Sequence, residues 1–587
     1  MAVIEQKKRR TGSPKGERVK LPSYRARRWT LIVLLSLSGM LLVWGAVARQ
    51  IFETDFLKNE GQKRHLRVLE ISANRGMITD RQGGPLAIST PVDSVWANPR
   101  VLSPDRRTLA PLAKLLKLDL DDLRRQLAQR SNRSFIYLKR RVKPDLVNQV
   151  MELVEQRKIA GIGLQREYRR YYPGGEMFAH VIGFTGIDDH GQEGLELAYE
   201  KWLTGTPGKK RVIRDGLARV VKDVEQILEP RKGNDLALTL DRRLQFLAYR
   251  ELMGAVKYHK AKSGSAVIVD VRSGEVLAMV NQPAYNPNGN KRGKVGRFRN
   301  RAVTDVFEPG STMKPFTIAA ALESGKYRPD TPIDTSPGVF MVGRYPVKDI
   351  RNYGLIDVST VIKKSSNVGA GKIALSLPKE RLWNLFSKLG FGEPTYTGFP
   401  GEVGGQLPPY QRWVKIDQAT LAFGYGLSVT PLQLADAYTT IAAGGIRRSL
   451  SLIKRDEPAE EKRVMSAATA KSVRKMMEAV VSAEGTAPRA AVAGYRVAGK
   501  TGTVKKSISG GYSDDRYTAI FAGMAPASDP RLAMVVMIDE PGAGKYYGGQ
   551  VAAPVFAKVM AGALRLLNVA PDGLDESDLR VAGLGGQ

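Results

Sequence analysis

Phe307-Glu-Pro-Gly-Ser311-Thr-Met-Lys314-Pro-Phe316 reads as a turn followed by a helix that carries a nucleophile. Pro309-Gly310 is turn chemistry, and Pro315 is tolerable in a helix only within its first turn. The apolar, alanine-rich run 316–322 continues the helix, and Ser324-Gly325 can end it. Residues three apart share a helix face, so Ser311 and Lys314 should lie side by side at the amino end. Unpaired backbone N–H groups there favour negative charge. A serine hydroxyl needs a base to become a nucleophile. All four histidines (His65, His180, His190, His259) precede Ser311, and Ser311 sits in no Gly-x-Ser-x-Gly elbow. Lys314 is the base at hand. It can act as one only if burial or a neighbouring cation lowers its pKa from about 10.4.

Alone, Ser-x-x-Lys says little, since Ser376/Lys379, Ser451/Lys454 and Ser472/Lys475 repeat it. A solvated helix face is the ordinary reading of any one of them. Two further motifs decide. Ser365-Ser-Asn367 enters an apolar run, 368–375, and Lys500-Thr501-Gly502-Thr503 lies in a strand-like run, 495–504. Each has a decoy, Ser72-Ala-Asn74 and Lys262-Ser-Gly264. Only one set reads Ser-x-x-Lys, Ser-x-Asn, Lys-Thr-Gly along the chain. An ordered trio of this kind is the signature of penicillin-binding proteins and class A β-lactamases.

The chain resembles the class B penicillin-binding proteins, and among them the division-specific peptidoglycan D,D-transpeptidases of Gram-negative bacteria. Matching blocks run from Arg75-Gly-Met-Ile-Thr-Asp80-Arg-Gln-Gly83 to Ala553-Pro554-Val-Phe556. The Ser-Ser-Asn form of the second motif is similar to the division-specific type rather than the elongation-specific one. The resemblance implies an α+β penicillin-binding transpeptidase fold, an antiparallel sheet covered by helices, on an elongated N-terminal pedestal with one transmembrane helix.

Composition agrees with several domains. The chain has 587 residues, 43% hydrophobic and 25% charged, enough apolar content for a large core. It has no cysteine, so stability rests on packing. The net charge of +33 suits an acidic partner. No nucleic-acid motif accompanies it, and anionic lipid or a diphosphate-linked wall precursor fits equally well, as does a general surface bias.

Residues 1–28 carry ten basic against two acidic side chains and read as a disordered cytoplasmic tail. Residues 29–48 are uncharged, and at ~1.5 Å per residue they match a ~30 Å hydrocarbon core. The basic flank places the amino terminus in the cytoplasm. Ala46-Val-Ala48 has the form of a signal-peptidase site, but a signal-peptide apolar run is typically ~7–15 residues, which favours an uncleaved anchor.

Residues 49–229 read as the non-catalytic pedestal, with helices expected over 109–127 and 144–154, and a polar network of Arg75, Asp80 and Glu193. His180 and His190 have no metal spacing. Pro230 to Asp235 read as a linker opening a transpeptidase domain over 230–567. That domain begins with Asp241 as N-cap of a helix to about residue 259, then two strands, 265–271 and 275–280. The polar stretch 286–300 reads as a mobile loop. A core helix follows Gly424-Tyr-Gly-Leu-Ser-Val-Thr-Pro431. Strand-like runs at 495–504, 517–525 and 532–539 precede a closing helix, 553–567. Residues 568–587 read as a loose tail.

By the resemblance, Ser311 is acylated by a D-Ala-D-Ala stem peptide and the acyl group passes to an amine. Lys314 takes the serine proton, Ser365 relays it to the leaving amine, and Asn367 holds the substrate amide and the lysine head. Lys500 brings charge to the far wall, Thr501 and Thr503 bind the substrate carboxylate, and Gly502 lets the substrate lie close. The N–H groups of Ser311 and Thr503 form the oxyanion hole, and Tyr546-Tyr-Gly-Gly549 reads equally as an aromatic wall of the site or as core. No metal cluster or phosphate loop is found and no cofactor is implied. β-Lactams are implied as inhibitors. The implied setting is the inner membrane at the division septum, with the catalytic domain periplasmic. The implied partners are a polytopic septal glycosyltransferase and other division proteins, with no nucleic acid. Water in place of the amine would make the same residues a D,D-carboxypeptidase or β-lactamase. A scaffold or β-lactam sensor is the non-enzymatic alternative.

Overall fold

The computed structural model describes residues 25–52, 54, 66–214, 220–289 and 295–573. Most of the basic tail expected over 1–28, residues 290–294 of the polar loop and residues 574–587 of the tail lie outside them. The chain divides into two compact units, residues 1–69 with 210–227, and residues 70–209 with 228–587.

In the first unit the helix Arg25–Val47 is followed by a π turn, Ala48–Phe52. It starts four residues before the expected 29–48 span, since arginine is a good helix former. It is long and apolar enough to cross a membrane. The strands Leu66–Ile71, Gly208–Arg214 and Val220–Leu228 form a small sheet with Gly208–Arg214 in the centre. Of the stretch 49–229 read as the pedestal, residues 49–69 and 210–227 group with this first unit and residues 70–209 with the second.

The second unit opens with the long strand Pro85–Ala97, which pairs along its length with Ile162–Tyr171 and also with Ile136–Val142. The single helix expected over 109–127 is two, Arg106–Leu116 and Leu120–Gln129. Lys117 turns left-handed at φ 54°, and Asp119 caps the second helix through Asp122 N. The helix Pro144–Gln156 packs back on the first.

The charge knot is real, but Glu196 rather than Glu193 holds it. Glu196 accepts from Arg75 Nε and Arg170 Nε, both at 2.7 Å, with all three side chains buried. Glu200 adds a second pair to Arg75 at 2.7 Å. Asp80 instead accepts from Gly84 N in its own turn. The stretch 230–235 is held rather than free, because Asp235 accepts from Met77 N at 2.6 Å.

One antiparallel sheet organises the rest: β1 (Ser263–Asp270), β2 (Val276–Gln282), β3 (Ala498–Ile508), β4 (Gly511–Ala525) and β5 (Leu532–Asp539), in the order β2-β1-β5-β4-β3. Every residue of β1 and β2 is buried. An antiparallel sheet buried on both faces needs cover on both. The helices α1 (Arg242–Tyr258) and α5 (Ala553–Leu566) pack together on one face, where Phe556 meets Phe521 with ring centroids 4.8 Å apart. On the other face α4 (Pro431–Ala442) packs on the sheet and the helix Ala467–Val481 packs on β3; α2 (Lys314–Glu323) lies against that helix, and α3 (Asn367–Leu375) against α2. Asp241 caps α1 and Thr430 caps α4 in a capping box with Gln433. Residues 568–573 are pinned, not loose, since Asp572 accepts from Arg496 N and Ser528 N.

Candidate active site

Ser311 lies in a single 3₁₀ turn, Gly310–Met313, one turn ahead of α2. The turn is set by close backbone approach. Gly310 has φ +56° and its N–H donates to Gly424 O at 3.0 Å. Gly424 has φ +87°, and a Cβ there would sit 2.1 Å from Gly310 O. Only glycine fits both constraints. From α4, the buried Tyr438 donates its hydroxyl to Thr312 O at 2.9 Å. The turn carrying Ser311 is thus held from two sides.

Lys314 is fully buried, and its Nζ lies 3.0 Å from Ser311 Oγ, 2.6 Å from Ser365 O, 3.1 Å from Ser365 Oγ and 2.7 Å from Asn367 Oδ1. Burial, then the charge of Lys500, push its pKa well below the usual lysine value, while Asp349 pulls the other way. A neutral amine has two N–H donors and one lone pair. Ser365 O and Asn367 Oδ1 take the donors, and the lone pair is left for the Ser311 O–H. The spacing read as Ser-x-x-Lys therefore brings the Lys314 amine within hydrogen-bond reach of the Ser311 hydroxyl.

The second motif is brought in by an unusual backbone. Ser365 ends the helix Val358–Lys364 in the left-handed region, φ 61°. For a residue other than glycine this costs on the order of 1–3 kcal/mol. The conformation turns both its carbonyl and its hydroxyl toward Lys314. Ser366 then caps α3, which begins at Asn367. Asp349, at the end of a hairpin, clamps this start. It accepts from Asn367 N and Ser366 Oγ, each at 2.5 Å, and from Val368 N at 3.1 Å.

The third motif lies on β3, the edge of the sheet. Lys500 differs from expectation. Its side chain is fully buried, it does not line the cleft, and Nζ donates to Ser365 Oγ at 2.9 Å. Burial lowers its pKa to about 7. Alternation along a strand explains this: Lys500 and Gly502 face the side of Ser365 and the Ser311 turn, while Thr501 and Thr503 face the opposite way. A Cβ on Gly502 would crowd Thr312 Cγ2 at 3.1 Å. Thr503 Oγ1 accepts from Gly548 N at 2.9 Å, which leaves its O–H to donate. Thr501 and Thr486 join hydroxyls at 3.0 Å.

Ser311, Ser365, Asn367, Thr501 and Thr503 line one cleft of about 590 Å³. Its aromatic side is Tyr517, Tyr546 and Tyr547, with Tyr517 and Tyr546 stacked at 4.2 Å. Sequence reasoning found the tyrosine pair at 546–547 but missed Thr486, Arg489, Gln550 and Tyr517 on the cleft wall and Asp349 and Tyr438 behind it. None of these lies in a motif. Among the described residues no group of acidic, histidine or cysteine side chains could hold a metal ion. His180 is buried and bonds Arg297 O, and His190 pairs with Glu200.

Two family descriptions match the chain. A penicillin binding protein transpeptidase domain covers residues 264–561, and a penicillin-binding protein dimerisation domain covers 70–238. The chain is 46% identical to the peptidoglycan D,D-transpeptidase FtsI of Escherichia coli K12 over 553 residues, 93% of this chain and 92% of that one. It is 40% identical to the probable peptidoglycan D,D-transpeptidase PenA of Neisseria gonorrhoeae, covering 95% and 96%. Among solved structures, penicillin-binding protein 3 of Mycobacterium tuberculosis in complex with aztreonam superposes with TM-score 0.67 at 30% identity, over 86% of this chain and 98% of that one. The transpeptidase domain of Burkholderia pseudomallei penicillin-binding protein 3 gives TM-score 0.53 at 44% identity, over 57% and 97%.

Proposed function

We propose roles for individual residues from one premise: the chain belongs to the penicillin-binding transpeptidase family and is a peptidoglycan D,D-transpeptidase. Ser311 Oγ attacks the carbonyl of the penultimate D-alanine of a donor stem peptide as its proton passes to Lys314. The C–Oγ bond forms and the C–N bond breaks. Ser365, bonded to both lysines, carries the proton to the departing D-alanine amine. An acceptor amine then attacks the ester, its nitrogen bonds the carbonyl carbon, and Ser311 recovers its proton through the same pair. The N–H groups of Ser311 and Thr503 hold the oxyanion, each worth roughly 2.7–4 kcal/mol. Thr501 and Thr503 take the terminal carboxylate, and Asn367 orients both Lys314 and the substrate amide. Lys500 acts from beneath, keeping Lys314 unprotonated and Ser365 oriented. β-Lactams acylate the same serine.

The observation that carries this reading is the buried Lys314 amine within 3.0 Å of Ser311 Oγ, its other neighbours being hydrogen-bond acceptors. We further propose that residues 230–567 form the catalytic domain on a pedestal. Arg25–Val47 anchors the chain in the inner membrane with the amino terminus cytoplasmic. The protein works at the septum with a separate membrane glycosyltransferase. The test is labelling of the full chain in detergent with a tagged penicillin, followed by mass mapping of the adduct. The label should fall on Ser311, Ser311→Ala should remove it, and an added amine should capture a donor acyl group. A label elsewhere, or hydrolysis that no amine diverts, would refute the assignment.

A further inference from the structure

The catalytic cleft continues past its threonines. Arg489 and Gln550 line it, and both also line a second cavity of about 440 Å³ whose wall includes His259, Lys545, Lys558 and Glu251. The junction is built from backbone. Arg489 sits in the 3₁₀ turn Pro488–Ala490, three residues after Thr486, which is bonded to Thr501. Gly549 packs against the same segment so closely that a Cβ would lie 2.3 Å from Thr486 O, and this fixes Gln550 beside the turn.

The second cavity is cationic and incompletely satisfied. Arg489 and Lys545 make no ion pair among the described residues. Lys558 reaches Glu251 only at 3.7 Å, and Arg250 holds that carboxylate at 2.7 Å. His259 is 7% exposed, and its buried Nδ1 has no hydrogen-bond partner. Burial and the nearby Lys545 disfavour its charged form. Three cations around one carboxylate that Arg250 already holds leave the cavity with an excess of positive charge, which suits an anion.

Which anion follows from the reaction. The attacking amine must take the place that the leaving amine vacates, because the second half-reaction retraces the first. With the leaving D-alanine's carboxylate at Thr501 and Thr503, the acceptor extends on that side, past Thr486, and meets Arg489. We propose that this cavity is an acceptor subsite, and that Arg489 and Lys545 bind a carboxylate carried by the amine-bearing acceptor strand. The inference rests on the roles assigned above to Ser311, Thr501 and Thr503. The cations bind and orient, and the bond made is still acceptor nitrogen to acyl carbon as the Ser311 ester breaks.

The test uses the full chain, a D-alanine thioester donor and two acceptors, Nα-acetyl-lysine and Nα-acetyl-lysinamide, which differ by one carboxylate. The wild-type enzyme should favour the carboxylate form roughly tenfold or more in kcat/KM, the scale of one charge-assisted hydrogen bond. Lys545→Glu and Arg489→Gln should cut that preference to about twofold, and Lys545→Arg should retain it. Binding of Nα-acetyl-lysine to the Ser311→Ala protein, read by saturation-transfer NMR, should be lost when Lys545→Glu is added. An unchanged preference in the variants, or unchanged binding in the double variant, overturns the subsite. Slower acylation by the donor with no change in acceptor preference also overturns it, since the carboxylate would then belong to the donor. Absence of any acyl group on Ser311 would sink the catalytic assignment instead, and the NMR measurement still reads the subsite.

Discussion

Asp349→Asn separates support from chemistry, because it should weaken the fold and push the base the other way. Asp349 accepts three hydrogen bonds at the start of α3, from Asn367 N, Val368 N and Ser366 Oγ. An asparagine oxygen can keep the two backbone donors, but the amide NH₂ presents a donor to Ser366, whose oxygen already accepts from Gly369 N at 2.8 Å. The loss is one charge-assisted bond, about 1.5–3 kcal/mol, and one anion at a helix amino end, about 0.3–1 kcal/mol. Together that is roughly 2–4 kcal/mol, a few degrees in the thermal midpoint of the full chain. The effect on Lys314 has its own sign. Asp349 favours protonated Lys314, so removing the carboxylate lowers a pKa that is already depressed. Lys314 works as a base only when neutral, and acylation rises with pH through its pKa. The acidic limb of the penicillin-acylation profile should therefore move to lower pH in the variant. Scanning calorimetry and stopped-flow acylation between pH 5 and 9 measure both. An unchanged midpoint would refute the clamp, and a limb moved to higher pH would refute the electrostatic account of Lys314.

Lys500→Met should move that limb in the opposite direction, because it removes the cation that repels charge on Lys314. The shift should be confined to pH below about 7, where Lys500 is charged, and an upward limb shift in the same acylation profile tests it. Gly424→Ala should slow acylation of Ser311 by on the order of 5- to 150-fold, because relieving the 2.1 Å approach to Gly310 O and the φ of +87° costs roughly 1–3 kcal/mol at the Ser311 turn. A wild-type acylation rate would show that the turn relaxes freely. Glu196→Gln should leave Arg170 buried without its counter-charge and Arg75 with Glu200 alone, at a cost of about 3–5 kcal/mol. A lowered unfolding midpoint of the pedestal, with Ser311 still labelled at permissive temperature, is the expected result.

The chemistry of the site was written in the chain because it depends on residue types at fixed local spacing. Ser311 and Lys314 are three apart on one turn, Ser365 and Asn367 bracket one helix start, and Thr501 and Thr503 alternate on one strand. What holds those groups was not written there. Asp349 reaches Asn367 over 18 positions, Tyr438 reaches Thr312 over 126 positions, and Gly424 touches Gly310 only after two segments have folded together. A polar loop aspartate or a helical tyrosine carries no mark of such a contact. Lys500 could have been placed better, since period-two alternation sends it to the side opposite Thr501 and Thr503. The same rule applied to pairing partners would not have separated Glu196 from Glu193, because that choice is made by two distant arginines. The division has an energetic cause. A buried lysine pair and a left-handed Ser365 each cost stability. They persist only where the surroundings over-determine them, and that over-determination is long-range by necessity. The residues proposed to react can be read from local pattern, while the residues that keep them in a costly arrangement are legible only in the folded chain.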